Sequence, residues 1–310
     1  MMGGFKRVVL AQPSPLTGVS MSRFSLGLPA LLALVSCASA PSQPAASVSA
    51  PQAAPVVERV LAAPERPSRK TMVRRILPHN VRLQIAENGK ARRTASGVVV
   101  GSERDEKGGV VAWVVTNAHA VEMGDLKAPV LRVLVDRRGD VLEHTGEVMA
   151  KGQVPDMDLA LVRVPGLELP AAELAEDAEL ELGEDVVVAA SPFGRALSLS
   201  GGMLSQVEWD RKTKHPSMVK TDAPIGYGAS GGGIFSLETG RLLAIVEGYR
   251  TAKVDFAVEE NSYSFDVPMP GETFAAPSAK VRQFLQAKGF GRLVQRAPQA
   301  EGGVAQAAGR

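Results

Sequence analysis

The chain has few cysteines and histidines and lacks long apolar runs, which excludes several classes of site and segment. Its 310 residues contain 1 cysteine, which excludes an internal disulfide framework and any cysteine-rich zinc or iron–sulfur site. With only 4 histidines in addition, we expect no metal and no cofactor. No apolar run reaches the roughly 18 residues that a membrane-spanning helix needs. Hydrophobic residues at 45% and charged residues at 22% are ordinary values for a globular protein, so the sequence predicts a folded body.

The charge is balanced once the amino terminus is set aside. The chain holds 35 basic and 33 acidic residues, and 3 of the basic ones but none of the acidic ones precede Cys37. The remainder therefore carries 32 basic against 33 acidic residues. Because no basic surplus or aromatic cluster remains, the sequence argues against nucleic-acid binding.

The amino terminus has the pattern of a secretory signal peptide. Residues 24–36 form a short apolar stretch after Arg23, and either Met1 or Met21 can be the start. The stretch ends at Cys37 in the order Leu-Val-Ser-Cys, which resembles the lipobox of bacterial lipoproteins, where the cysteine is lipidated.

We therefore predict a lipoprotein signal over residues 1–36 and a lipid anchor at Cys37, with the protein held in the bacterial envelope and facing the periplasm. The alternative is ordinary cleavage after residues 38–40, which would discard Cys37 and leave a soluble periplasmic or secreted protein.

Both ends of the mature chain have the composition of unstructured segments. Between Pro41 and Pro67 the chain has 6 prolines and 7 alanines in 27 residues, which predicts an extended tether over residues 37–70. Residues 292–310 are predicted to form a flexible tail, since their end is rich in glycine, alanine and glutamine. The folded body is then expected over residues 71–291.

Within this body, short β-branched runs bounded by turn residues predict strands. These runs are Val81–Ile85, Gly97–Val100, Val110–Thr116, Val130–Val135, Leu159–Val164 and Val186–Ala190. The polar residues 102–109 predict a hairpin connection. One helix is expected over residues 278–288, capped by Ser278 and ended by Gly289. The pattern favours an all-β barrel or sandwich.

A serine among four glycines is the strongest chemical signal. Ser230 lies within residues 227–233, where glycines let the chain turn sharply and bring main-chain N–H groups close to a substrate carbonyl. A plain turn would have the same composition. The segment also fits the G-x-S-x-G elbow of α/β-hydrolases, but the base histidine of that fold follows the serine. All 4 histidines precede Ser230, which excludes that fold.

His119 is the best candidate for the base, because it follows the apolar run 110–116 where a strand end would present it. A structural histidine is the alternative. Asp158 directly precedes another buried run, so its carboxylate can orient an imidazole and stabilise the imidazolium. Asp156 points to the same face of a strand and is the weaker candidate.

Several motifs occur in the order His, Asp, Ser. They are residues 116–119 (Thr-Asn-Ala-His), 158–161 (Asp-Leu-Ala-Leu) and 228–232 (Gly-Ala-Ser-Gly-Gly). With further matching stretches between residues 96 and 285, they resemble the trypsin-like (chymotrypsin-fold) serine proteases, most closely the bacterial HtrA/Deg branch. The resemblance implies a double six-stranded β-barrel, with barrels at about residues 71–170 and 180–277 and a short terminal helix.

The resemblance also assigns roles. Ser230 would be the nucleophile, His119 the base and then the acid, and Asp158 the residue that orients the imidazole. The N–H groups of Gly228 and Ser230 would form the oxyanion hole. The substrate pocket would be bounded by Pro224, Val246 and Gly248, and since Pro224 offers no carboxylate, a small or medium apolar P1 residue is expected.

The sequence departs from the family at the serine loop. Ala229 and Gly233 replace the usual asparagine and proline, and Tyr227 stands where proline is frequent. Extra glycine could loosen the loop, so the hole could need activation. About 80 residues follow Ser230, and no PDZ domain is expected among them.

The expected function is hydrolysis of peptide bonds in unfolded or peptide substrates by a serine endopeptidase. The alternative is a weak or inactive protease-fold protein that binds polypeptides or an envelope partner. A homo-oligomer is compatible with either.

Metabolic labelling tests the predicted anchor. Cells that express the full chain and are fed a clickable palmitate should label it, and Cys37→Ser should abolish the label because no other thiol exists. Absence of label on the wild-type chain would leave ordinary signal cleavage as the explanation.

Overall fold

The computed structural model describes residues 67–258 and 261–294. The predicted signal peptide, the lipidation site Cys37, nearly all of the predicted tether and residues 295–310 of the predicted tail lie outside the described residues. These residues include two α-helices, α1 Arg69–Ile76 and α2 Ser278–Ala287. No helix among the described residues is long and apolar enough to cross a membrane.

Seven antiparallel strands build the first half of the body, in one sheet of order β5-β4-β1-β2-β3-β7-β6. They are β1 Asn80–Glu87, β2 Lys90–Arg104, β3 Val110–Thr116, β4 Pro129–Arg137, β5 Asp140–Thr145, β6 Glu147–Lys151 and β7 Ala160–Pro165. The hairpin predicted over residues 102–109 joins β2 to β3. Where a six-stranded barrel was expected, this half has a seventh strand and ends in two edge strands, of which β5 is largely exposed.

Six antiparallel strands build the second half and close into a barrel of order β10-β13-β12-β11-β8-β9. They are β8 Asp185–Ala190, β9 Ser198–Trp209, β10 Pro216–Thr221, β11 Gly233–Ser236, β12 Leu242–Val258 and β13 Asn261–Pro277. The predicted all-β class is confirmed, and each of the six predicted strand runs lies within or overlaps an observed strand.

Strand β3 of the sheet reads as a continuous apolar run because both of its faces are buried. Along β3, Val111, Trp113 and Val115 point into a core shared with the barrel, whereas Ala112 and Val114 point into the core of the sheet itself. This alternation follows from the two-residue period of a strand. The shared core also includes Phe235 and Leu242 from the barrel.

Both α-helices pack on the shared core. Met72 and Ile76 of α1 are buried there, one helical turn apart, and Val281, Phe284 and Leu285 bury the face of α2 that the sequence predicted. Helix α1 was not predicted, although Ser68 caps it by accepting a hydrogen bond from the Thr71 N–H at 3.3 Å.

Two expectations at the carboxyl end are corrected. Ser278 does not cap α2: the N-cap is Pro277, and the buried Ser278 hydroxyl instead donates to the Leu242 carbonyl, which faces the start of the helix. Residues 292–294, expected in the tail, lie in a 3₁₀ turn. Arg292 there stacks over Trp113 and pairs with Glu103 at 3.0 Å, so these residues belong to the folded body.

The hairpin of β12 and β13 extends beyond the barrel. From Thr251 onward the two strands pair only with each other, as far as the pairing of Val258 with Asn261. Exposed apolar side chains lie along this ribbon, including Phe256, Tyr263 and Phe265.

Truncation of Phe235 should destabilise the whole body, because its fully buried ring lies in the core that joins the two halves. We expect Phe235→Ala to lower the free energy of unfolding by about 3 to 5 kcal/mol. The matched control is Phe265→Ala on the ribbon, whose ring is 49% exposed and whose loss should cost under about 1 kcal/mol. Urea titrations measure both, and equal losses would contradict the assignment of the core.

Candidate active site

His119 lies just after β3, at the start of a short 3₁₀ turn formed by residues 119–121. Its ring Nδ1 is 2.5 Å from Asp158 Oδ2, and its main-chain N–H donates to Asp158 Oδ1 at 3.0 Å. A carboxylate held by both the ring and the backbone fixes the orientation of the imidazole and leaves Nε2 directed away from it. The structure therefore brings these two predicted residues together.

Asp158 is held in place from its own side as well. It lies two residues before β7, and its main-chain carbonyl accepts a hydrogen bond from the Asn117 side chain at 2.9 Å. Burial opposes its ionisation, but the hydrogen bonds from His119 outweigh this effect and hold the pKa of Asp158 below its ordinary value. Asp156, the weaker candidate, is exposed.

Ser230 lies in the turn between β10 and β11, and this turn packs against the end of β3. Only glycine fits at position 231, where φ is +83° and a Cβ atom would lie 2.2 Å from Thr116 Oγ1, three residues before His119. Among the described residues, the Ser230 hydroxyl donates to the Glu247 carbonyl at 3.5 Å and has no hydrogen bond to His119.

Main-chain donors are available at the serine turn. Ala229 N–H donates to the Gly226 carbonyl at 3.0 Å, whereas the N–H groups of Gly228 and Ser230 on either side of it have no acceptor in the described part of the chain. The neighbouring carbonyls are anchored elsewhere: Tyr227 O accepts from Phe193 N–H at 2.5 Å and Gly228 O from the Ser96 hydroxyl at 2.8 Å. This arrangement leaves two free donors two residues apart.

Ser96 is a site residue that the sequence reasoning did not single out. Besides its bond to Gly228, its hydroxyl accepts from Ser191 N–H at 2.8 Å, and its own N–H donates to the Ser230 carbonyl at 2.8 Å. Ser96 therefore holds the serine turn against β2 through two hydrogen bonds, one from its hydroxyl to Gly228 and one from its main-chain N–H to Ser230. The only signal in the sequence is a polar residue within an apolar strand run.

Glu247 and Phe193 were also missed. Glu247 is the charged residue that follows the buried run of β12, and Phe193 has a left-handed φ of +56°, which is rare for a bulky residue. That backbone geometry accompanies the bond from its N–H to Tyr227 O.

The three residues expected around the substrate pocket lie in different environments. Val246 is fully buried in the barrel core, Gly248 is half-buried against Phe274, and Pro224 is exposed. A cavity of about 570 Å³ opens beside His119 instead, with Arg93, Glu122 and Lys151 among its lining residues. No cluster of potential metal ligands occurs among residues 67–258 and 261–294.

Comparison with known proteins agrees with this geometry. Residues 95–245 match the trypsin-like peptidase domain family. A probable periplasmic serine endoprotease, DegP-like, from Ectopseudomonas mendocina is 28% identical over 238 residues, covering 76% of this chain and 44% of the relative. A protein with the same description from Hahella chejuensis is 31% identical over 150 residues, covering 48% of this chain and 28% of the relative.

Among solved structures, the serine endoprotease from Yersinia pestis matches with a TM-score of 0.50 at 20% identity, covering 74% of this chain and 68% of that one. This likeness confirms the chymotrypsin-like fold expected from the sequence. The chain spans less than half the length of the curated relatives it matches.

The lowered pKa of Asp158 predicts an acid-dependent contribution to stability. A carboxylate with a depressed pKa in the folded state stabilises the fold above its unfolded pKa of about 4, and this contribution is lost as the pH falls through the folded value. Urea titrations of wild type and Asp158→Asn from about pH 5 to 2 should therefore give free energies of unfolding that converge at low pH. Asp156→Asn, at the exposed neighbour, should run parallel to wild type; parallel curves for Asp158→Asn would contradict the prediction.

Proposed function

We propose that the protein is a serine endopeptidase that hydrolyses peptide bonds in unfolded or peptide substrates. The proposal starts from the match of residues 95–245 to the trypsin-like peptidase domain family. The observation that carries the proposal is the His119–Asp158 couple at the strand ends against which the serine turn packs. The couple supplies an oriented base, and the turn supplies a hydroxyl beside two free N–H donors.

In the proposed mechanism the Ser230 hydroxyl turns from the Glu247 carbonyl towards His119 Nε2, a rotation about one side-chain bond. His119 accepts the hydroxyl proton as Ser230 Oγ attacks the substrate carbonyl, and it then gives that proton to the leaving amine. Asp158 stabilises the imidazolium that exists between these steps. Water then takes the place of the amine. It attacks the acyl group on Ser230 with His119 again as the base, which releases the carboxylic acid and restores the serine hydroxyl.

The N–H groups of Gly228 and Ser230 would hold the negative oxygen of the tetrahedral intermediate. One such donor is worth about 3 to 4 kcal/mol of transition-state stabilisation. The carbonyls that share a peptide group with these donors are already bound, Tyr227 O to Phe193 N–H and Ala229 O to Gly232 N–H, which fixes the orientation of both donors. This supports a hole that exists in the resting enzyme, despite the extra glycine at position 233.

The proposal also covers the substrate preference and the cellular location of the protein. A small or medium apolar P1 residue is proposed because Pro224 brings no carboxylate to the expected pocket. The envelope location, facing the periplasm, is supported by the periplasmic descriptions of the bacterial relatives, and the lipid anchor by the sequence at Cys37. The alternative, a protein that binds polypeptides without cleaving them, is motivated by the resting hydrogen bond of Ser230 to Glu247 rather than to His119.

Active-site labelling and casein digestion test the proposal. Wild-type protein should react with a fluorophosphonate probe and degrade denatured casein, whereas Ser230→Ala should lose the label and about 10⁵- to 10⁶-fold of kcat, as expected when a nucleophile is removed. Ser264→Ala, at an exposed serine on the ribbon, should behave as wild type.

A wild-type protein that neither takes the label nor cleaves casein between about pH 6 and 9, a range in which a histidine base loses its proton, would contradict the endopeptidase. If that protein still suppressed aggregation of a denatured client, the binding alternative would replace it.

A further inference from the structure

A largely buried ion pair lies beside the proposed catalytic residues. Lys280 Nζ of α2 is 3.5 Å from Glu247 Oε1 of β12, and the two side chains are only 18% and 13% exposed. Both charges therefore lose much of their contact with water when the protein folds, which has an energetic cost that a fully exposed pair does not have.

Glu247 occupies a break in the β12–β13 ladder. Val246 pairs with Ala275 and Gly248 with Phe274, so Glu247 is the extra residue of a β-bulge. Bulges bend a strand and re-aim a side chain, and they occur often next to active sites. The main-chain carbonyl of this same residue accepts the hydrogen bond of the Ser230 hydroxyl.

The Glu247 carboxylate is within electrostatic reach of the catalytic couple. Burial raises its pKa, Lys280 opposes that effect, and the charge of Asp158 adds to it, while His119 acts in the same sense as Lys280. Two carboxylates therefore interact electrostatically with one imidazole, and only one of them, Asp158, is bonded to it.

We propose that Lys280 is a positioning residue of the active site that acts through Glu247: it neutralises a second carboxylate beside the His119–Asp158 couple and holds the bulge whose carbonyl contacts Ser230. The inference rests on the proposed function for its catalytic meaning. It gives the terminal helix a role in the chemistry, since Lys280 is the third residue of α2.

The sign of the effect follows from the charges. Without Lys280, the uncompensated Glu247 carboxylate stabilises the imidazolium, so His119 holds its proton to higher pH. Without the Glu247 charge, the remaining ammonium group destabilises the imidazolium, and His119 loses its proton at lower pH. When both charges are removed, the two effects cancel, and the pH at which His119 loses its proton stays close to that of wild type.

The other charged groups near His119 do not change in this comparison. Arg93, Glu122 and Lys151 line the cavity beside it. Lys151 pairs with Glu122 at 3.0 Å, and Arg93 pairs with Asp125 at 2.8 Å. In the described part of the chain, none of these residues forms an ion pair or hydrogen bond with Glu247 or Lys280, so their charges stay constant among the variants.

The test compares Lys280→Met, Glu247→Gln and the double variant with wild type between about pH 5 and 9. The side-chain resonances of His119, identified by their loss in His119→Gln, report its titration by NMR, and kcat/KM on a peptide substrate reports the acid limb of activity. Lys280→Met should move both midpoints up, and Glu247→Gln should move both down, by about 0.5 to 1 pH unit, less than the 1 to 3 units of charges in direct contact. The double variant should return close to wild type. Lys288→Met, at the exposed end of α2, makes the same charge change away from the site and should shift nothing.

Shifts of the same sign in the two single variants, or a double variant no closer to wild type than either, would overturn the proposal and leave the pair a merely structural one. The NMR titration does not require turnover. A wild-type protein without hydrolytic activity would therefore contradict the proposed function. Shifts of the His119 titration in opposite directions in Lys280→Met and Glu247→Gln would still support the electrostatic role of the pair.

Discussion

A hydrophobic core shared by the sheet and the barrel holds the candidate site together. His119 and Asp158 come from the ends of β3 and β7 in the sheet, whereas Ser230 and Glu247 come from the barrel. The two sets meet because Trp113, Leu161 and their neighbours in the sheet pack against Phe235 and Leu242 of the barrel. Both helices cover this same core, so every element that carries a site residue is fixed by one body of apolar contacts.

Within that frame, polar contacts set the finer geometry. Ser96 bonds the serine turn through its hydroxyl and its backbone, and Gly231 lets the turn approach Thr116 more closely than any side chain would permit. The N–H groups of Gly228 and Ser230 belong to peptide groups whose carbonyls, on Tyr227 and Ala229, are held by Phe193 and Gly232. The site thus depends on backbone positions at least as much as on the three side chains that would carry out the reaction.

The sequence predicted those parts of the molecule whose physical causes are local. Runs such as Val110–Thr116 are apolar along their whole length because both faces are buried, and their bounds were therefore clear. The His119–Asp158 contact was predicted because each residue adjoins such a run. Helix α1 is short and strongly basic, with little local signal beyond Ser68. Glu247 could not be recognised, since its partner is 33 residues away and its direction depends on a bulge in the strand register.

The division of the site between sheet and barrel has a consequence for the newly made chain. Before the two halves dock, the imidazole and carboxylate lie on one surface and the hydroxyl with its N–H donors on another. On the proposed mechanism, a molecule that is still folding cannot digest itself or other immature copies. On this mechanism, burial of the core shared by the sheet and the barrel is a precondition for hydrolysis, which would begin only after the two halves have docked.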